Sequence, residues 1–280
     1  MQISPISLGF VCLFSSFNKI ILLENIKGSD LVKENADILR ELFPKKRKDI
    51  LVDFDQIQDM ANIFIKELSI EGKRTANTVL IDITTFTHEE LLVCMKVLLT
   101  SNKVKGITCV YNNAFEYCPG VEMDKKWLSQ GAKLLHPVLG YPGTMLPTKK
   151  THLIIIAGYE YSRAFSAISD VEPSSISLVY GSSKSSLTEK DQEANTIFKN
   201  MVEKMAFEYS EIEEYEIPCN DPDAIADGMT EIYGLHRDMN ILVIPLNSKM
   251  STLGVIKSLE DNEEPQVCYA PALLYNESNY

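Results

Sequence analysis

The residues best suited to chemistry stand in short polar loops at the ends of apolar runs. Asp82, Thr84, Thr85, Thr87 and His88 close the run at 79–83; Gly158, Glu160 and Arg163 follow 152–157; Asn247, Ser248 and Lys249 follow 240–246. A loop leading from strand to helix presents backbone N–H groups and the positive helix end, where anions and nucleotides are favoured. The candidate ligand-binding set is therefore Asp82, Thr84, Thr85, His88, Gly158, Glu160, Arg163, Asn247 and Lys249. Arg163 suits a phosphate, and Glu160 a ribose hydroxyl or a proton transfer. A purely local account competes at each loop: Asp82 and the threonines cap a helix and close a turn, and Arg163 pairs with Glu160.

Other patterns carry less. Gly181-Ser182-Ser183-Lys184-Ser185-Ser186 lacks the spacing of a phosphate loop and reads as a serine-rich turn. Asp53, Asp55 and Asp59 read as acidic residues favouring a helix N-terminus rather than as a metal set, and Lys45 to Lys48 as a solvated basic run. Six cysteines are scattered without a CxxC pair or a histidine at ligand spacing, which predicts reduced thiols in a cytoplasmic protein and no zinc framework. No nucleophile–base constellation, metal set or glycine fingerprint stands in the chain. No catalytic residue, metal or cofactor is therefore assigned.

The elements that must position the loops can be read from periodicity. The β-branched run at 79–83 predicts a buried strand, and Thr87 three residues before Glu90 forms a capping box for a helix over 88–100, with Leu91, Leu92, Met95, Leu98 and Leu99 on one face. Strands are expected at 8–14, 20–25, 49–54, 107–117, 152–157, 176–180, 216–219 and 240–246. Helices are expected over 31–43, 55–68, from Glu160 onward, over 188–209, and from the 220–223 loop to 235. The stretch 118–150, with the single tryptophan and repeated glycine and proline, reads as a packed connector without regular strands.

With 280 residues, 45% of them hydrophobic and 24% charged, the chain has the composition of an ordinary globular protein. A formal charge of -12 argues against binding to nucleic-acid duplexes or anionic membranes, both of which reward a basic face. The apolar N-terminal stretch is broken by Ser15, Ser16, Asn18 and Lys19 and has no basic lead, so strands are expected there rather than a signal or an anchor.

The two halves match in order. Ile21-Leu22-Leu23 with Gly28-Ser29 falls against Ser177-Leu178-Val179 with Gly181-Ser182, and Asp82-Ile83-Thr84 against Pro245-Leu246-Asn247. The expected fold is α/β, two tandem Rossmann-like β/α units with mostly parallel sheets, at 1–117 and 151–280, joined by the connector 118–150.

Asp82-Ile83-Thr84-Thr85-Phe86-Thr87-His88, after a strand and opening a helix, resembles the ligand motif of CRISPR-associated Rossmann-fold (CARF) sensors. There an Asp or Asn, a Thr or Ser and a basic residue follow the fourth strand; His88 stands at the basic position, and Asn247-Ser248-Lys249 is a looser echo. The resemblance implies a module binding a nucleotide or cyclic oligonucleotide at a two-fold interface in prokaryotic antiviral defence. The expected function is thus a noncatalytic sensor or interaction subunit of such a system, with a nucleotide ligand, a protein partner or a second copy of itself. Two alternatives stand beside it: an enzyme of nucleotide or nucleoside metabolism acting through Asp82 or Glu160, and a structural subunit with an aromatic partner surface around Phe115, Tyr117, Trp127 and Tyr141.

Overall fold

A computed structural model describes residues 19–53, 55–70, 77–113, 120–122, 125–182, 189–206 and 211–276. The strand expected at 8–14 and most of the serine-rich turn lie outside the described residues, as do Phe115 and Tyr117. The architecture is α/β with mostly parallel strands, as the alternation of apolar runs and amphipathic stretches predicts.

The chain divides into two compact units, Met1–Gly72 and Lys73–Tyr280. In the first, β1 (Ile20–Asn25) pairs in parallel with β2 (Arg47–Val52), and α1 (Asp30–Leu42) and α2 (Ile57–Ile70) complete the βαβα order. Lys27 Nζ lies 2.9 Å from both Asp53 Oδ2 and Asp55 Oδ2. Asp53 and Asp55 thus share a cation of their own unit, and Asp59 stands in the first turn of α2.

The second unit opens with β3 (Asn77–Asp82), α3 (His88–Thr100) and β4 (Val104–Val110), β3 and β4 pairing in parallel. The capping box forms as the sequence predicts. Thr87 Oγ1 accepts from the Glu90 N–H at 3.2 Å, and Glu90 Oε2 accepts from the Thr87 N–H at 2.8 Å.

Six strands then build the main sheet. The elements are β5 (Ser129–Ala132), β6 (His136–Pro137), β7 (Thr151–Ile156), α4 (Tyr161–Val171), β8 (Ser175–Gly181), α5 (Glu189–Ala206), β9 (Glu211–Ile217), α6 (Pro222–Leu235), β10 (Asn240–Pro245), α7 (Lys249–Ser258), β11 (Gln266–Tyr269) and β12 (Ala272–Tyr275). The strand order is β6-β11-β10-β7-β8-β9, parallel throughout except for β6 on β11. Because both faces of β7 and β10 are covered, their sequences are continuous apolar runs rather than alternating ones: Leu153 to Ile156 and Val243 to Ile244 are wholly buried. Leu153, Ile155, Ile176, Leu178, Leu242 and Ile244 share one core with Ala164, Ala167 and Ile168 of α4.

Two expectations are corrected. The connector does hold strands: β5 pairs antiparallel with β12, and β6 with β11. The compact units also differ from the expected 1–117, 118–150 and 151–280, since α3 packs on α7 and the connector strands pair with the C-terminal ones, tying residues 73–150 to the second unit. Cys94, Cys109, Cys219 and Cys268 are unbridged. Among the described residues no helix is long and apolar enough to cross a membrane.

At the amino end of the main sheet, His152 and His236 stack with ring centroids 3.5 Å apart. Both imidazole nitrogens of His152 are engaged, Nδ1 with Ser175 Oγ at 2.7 Å and Nε2 with Ser177 Oγ at 2.9 Å. Burial, helped by His236, pushes His152 down to about 4. It is a structural histidine, held neutral.

Candidate functional site

The topology places a switch point between β7 and β10. From β7 the chain moves outward through β8 to β9, then returns to β7's other side with β10 and moves outward again to β11. In α/β sheets such a point, where neighbouring strands send their connections in opposite directions, is where ligands are held. Gly158, Glu160 and Arg163 follow β7, and Asn247, Ser248 and Lys249 follow β10. Gly158, Glu160, Arg163, Asn247 and Lys249 thus arrive at one sheet edge.

The two loops lie against each other. A Cβ at Gly158 would stand 2.7 Å from the Leu246 carbonyl oxygen and 2.9 Å from Asn247 Cα, so only glycine allows the approach. Asn247 Nδ2 donates to the Ala157 carbonyl, and Asn247 Oδ1 accepts from the Ser248 N–H at 2.8 Å. Asn247 is therefore the clasp between the loops. Gly158→Ala is expected to cost about 1–3 kcal/mol, because backbone atoms rather than a flexible side chain must yield; urea unfolding measures it.

Around the clasp sits a buried charged cluster. Arg163, 2% exposed, donates from Nε to the Ala270 carbonyl at 2.7 Å and from Nη1 to Glu160 Oε2 at 3.1 Å. Its guanidinium carbon lies 4.8 Å from the centre of the Tyr269 ring. Nη2 is buried without a hydrogen-bond partner. Ser129 Oγ of β5 donates to Glu160 Oε2. The pairing of Arg163 with Glu160 that the local account expects is present, and it uses only part of the guanidinium.

Lys249, the first residue of α7, is half-buried and makes no hydrogen bond or ion pair among the described residues. Burial pushes its ammonium down to about 8, against the pull of the Glu160 and Glu90 carboxylates. The N-terminus of α3 completes the cluster. His88 Nδ1 meets Thr252 Oγ1 of α7 at 2.7 Å, and burial together with Lys249 and Arg163 holds this imidazole well below its ordinary range, hence neutral. Glu90 is buried, and burial pushes its carboxyl up to about 7 in spite of its capping bonds. Glu89 binds His136 Nε2 of β6 at 2.7 Å.

Six of the nine candidates, His88, Gly158, Glu160, Arg163, Asn247 and Lys249, belong to this one neighbourhood. Asp82, Thr84 and Thr85 do not join it by any hydrogen bond. Asp82 Oδ1 accepts from the Thr84 N–H at 2.9 Å, Thr84 Oγ1 accepts from the Asn112 N–H at 3.0 Å, and Thr85 is exposed. Asp82 thus closes its own turn, and Thr84 ties that turn to the loop after β4. Sequence reasoning passed over Glu90 as a cap and missed Ser129 and Tyr269 altogether. Glu90's place one helical turn into the α3 N-terminus was the available signal; Ser129 and Tyr269 come from short strands with none.

Two open cavities lie elsewhere. One of about 300 Å³ in the first unit is lined by Val52, Asp53, Asp59, Asn62 and Lys66. Another of about 230 Å³ lies by Tyr180, Gly181, Thr196, Lys199 and Glu216. In the second, Lys199 is already paired with Glu203 and Glu214. Among the described residues no three His, Cys, Asp or Glu side chains are placed to hold a metal ion.

No protein-family model matches the chain, and no curated protein matches it. Among solved structures it is similar to a ketoreductase domain from the bacillaene assembly line, at 12% identity and a TM-score of 0.27, covering 88% of this chain and 66% of that one. An ABC transporter periplasmic solute-binding protein from Actinobacillus succinogenes with bound D-allose matches at 11% identity and 0.32, covering 90% of this chain and 77% of that one. A sugar-binding protein of a Bacillus halodurans sugar ABC transporter gives 11% and 0.30, with 89% and 73% covered. Likenesses this slight assign neither a family nor an activity, and they add nothing to the α/β architecture already described.

Proposed function

We propose that this protein is a noncatalytic Rossmann-like sensor or interaction subunit, cytoplasmic and of an antiviral kind, that holds a nucleotide at the β7–β10 switch point. The observation that carries the reading is that Arg163, with Nη2 left without a partner, stands close enough to Lys249 for the two cations to repel each other. The resemblance of residues 82–88 to sensor motifs supplies the antiviral setting, and the four described cysteines, all unbridged, suit a reducing compartment. A protein partner fits the face around β12, where Leu273 and Leu274 are 65% and 55% exposed and Leu134, just after β5, is 81% exposed.

One observation favours a second reading, an enzyme of nucleotide or nucleoside metabolism. Glu90 at about 7 and Lys249 at about 8 are poised for proton transfer near neutral pH. The experiment that separates the two is native mass spectrometry after incubation with a mixed nucleotide pool that includes cyclic oligonucleotides. An intact nucleotide retained by the wild type and lost in Lys249→Gln is the expected result. A converted nucleotide would move the assignment to the enzyme, and no retained mass would leave a partner subunit, to be sought by copurification.

A further inference from the structure

The two cations are placed against the electrostatics of their own helices. Arg163 stands in the first turn of α4 and Lys249 in the first turn of α7, and neither first turn holds an acidic residue. A helix N-terminus carries about half a positive charge and favours anions. Two helix ends and two side-chain cations therefore converge where only Glu160 balances them outright. That carboxylate is already committed to Arg163 Nη1 and Ser129 Oγ. Glu90, the other acid facing Lys249, is bound by its own capping interaction and takes up a proton near neutrality.

What remains is specific. Arg163 is fixed by the Ala270 carbonyl, the Glu160 carboxylate and the Tyr269 ring, so its free Nη2 has a set direction rather than a choice of rotamers. A buried N–H without a partner costs about 1–3 kcal/mol, and more on a charged group, which a ligand oxygen would return. Lys249 adds a second, less fixed charge. A bidentate oxyanion meets such a pair well, since charge-assisted bonds to guanidinium and ammonium are about twice as strong as neutral ones.

We infer that the switch point holds an oxyanion, a phosphate or carboxylate group, between Arg163 Nη2 and Lys249 Nζ. This rests on the ligand-binding reading above and names the part of the ligand that is gripped. His88 is neutral and contributes no charge; it positions α7 through Thr252.

The test is isothermal titration and thermal unfolding of the full chain with inorganic phosphate, AMP, adenosine and succinate, in wild type, Lys249→Gln and Arg163→Lys. AMP is expected to bind at least about tenfold more tightly than adenosine, phosphate alone to raise the melting temperature, and Lys249→Gln to abolish both effects, each read against that variant's own ligand-free melting temperature. Arg163→Lys keeps the charge but loses the fork, and is expected to weaken AMP by about tenfold. Binding of succinate but not phosphate would make the oxyanion a carboxylate. Equal binding of AMP and adenosine would overturn the inference while leaving the nucleotide reading intact. Binding of phosphate, lost in Lys249→Gln, with neither AMP nor adenosine binding would do the reverse. Absence of binding by all the charged probes, or a phosphate effect that survives in Lys249→Gln, would overturn it.

Discussion

Replacement of Arg163 by Met is expected to lower the unfolding free energy by about 3–5 kcal/mol, the usual cost of stranding one member of a buried ion pair. Arg163 is 2% exposed and Glu160 6%, so solvent cannot take over the lost charge. The carboxylate would keep only Ser129, and the Ala270 carbonyl would lose its donor. The double variant Arg163→Met with Glu160→Gln removes the stranded charge and should recover a large part of the loss. Urea unfolding of the wild type, both single variants and the double variant closes the cycle. A loss below about 1 kcal/mol in Arg163→Met would mean the guanidinium is not buried as the structure has it.

The second large effect is a pH dependence centred on Glu90. Its carboxyl is raised above the ordinary value of 4.5 to about 7 by burial. The folded chain therefore holds this proton more tightly than the unfolded one. The resulting stabilisation is fully present below 4.5 and is lost as pH rises through about 7. His152 runs the other way: its pKa is lowered from 6.5 to about 4, so its contribution is present above 6.5 and lost as pH falls toward 4. The two slopes oppose each other between pH 5 and 6.5, and the wild type alone would conceal both.

The difference between Glu90→Gln and wild type isolates one of them. Glutamine keeps the capping geometry without the charge. Its stability gain over wild type is expected to grow by about 2 kcal/mol between pH 5 and 7 and then level off. Denaturant midpoints across that range measure it. A gain that does not change with pH would show that Glu90 titrates as an exposed carboxyl does.

Much of the second unit was legible because its signals are local. An apolar run ending in Gly158, followed by Glu160 and Arg163, and another ending at Asn247 with Lys249 behind it, mark two strand ends that a parallel sheet brings side by side. The Thr87–Glu90 capping box likewise needs only a four-residue window. What escaped depends on contacts far apart in sequence. β5 and β6 are four and two residues long and gain their strand character only from β12 and β11, more than 120 residues later, so no periodicity marks them. The stack of His152 on His236 bridges 84 positions, and the pKa of Glu90 is set by the burial that α3 undergoes on packing against α7. In the string 82–88 the described hydrogen bonds of Asp82 and Thr84 stay within that loop and the adjoining end of β4, while His88 reaches Thr252 of α7.

The central claim is that the β7–β10 switch point is where this protein holds its ligand, and hydrogen–deuterium exchange with and without AMP tests it most directly. The account predicts slowed exchange in peptides spanning 157–164 and 246–252, with Lys249→Gln losing the protection. Protection confined instead to residues around Tyr180, Thr196 and Lys199, the lining of the 230 Å³ cavity, would contradict it.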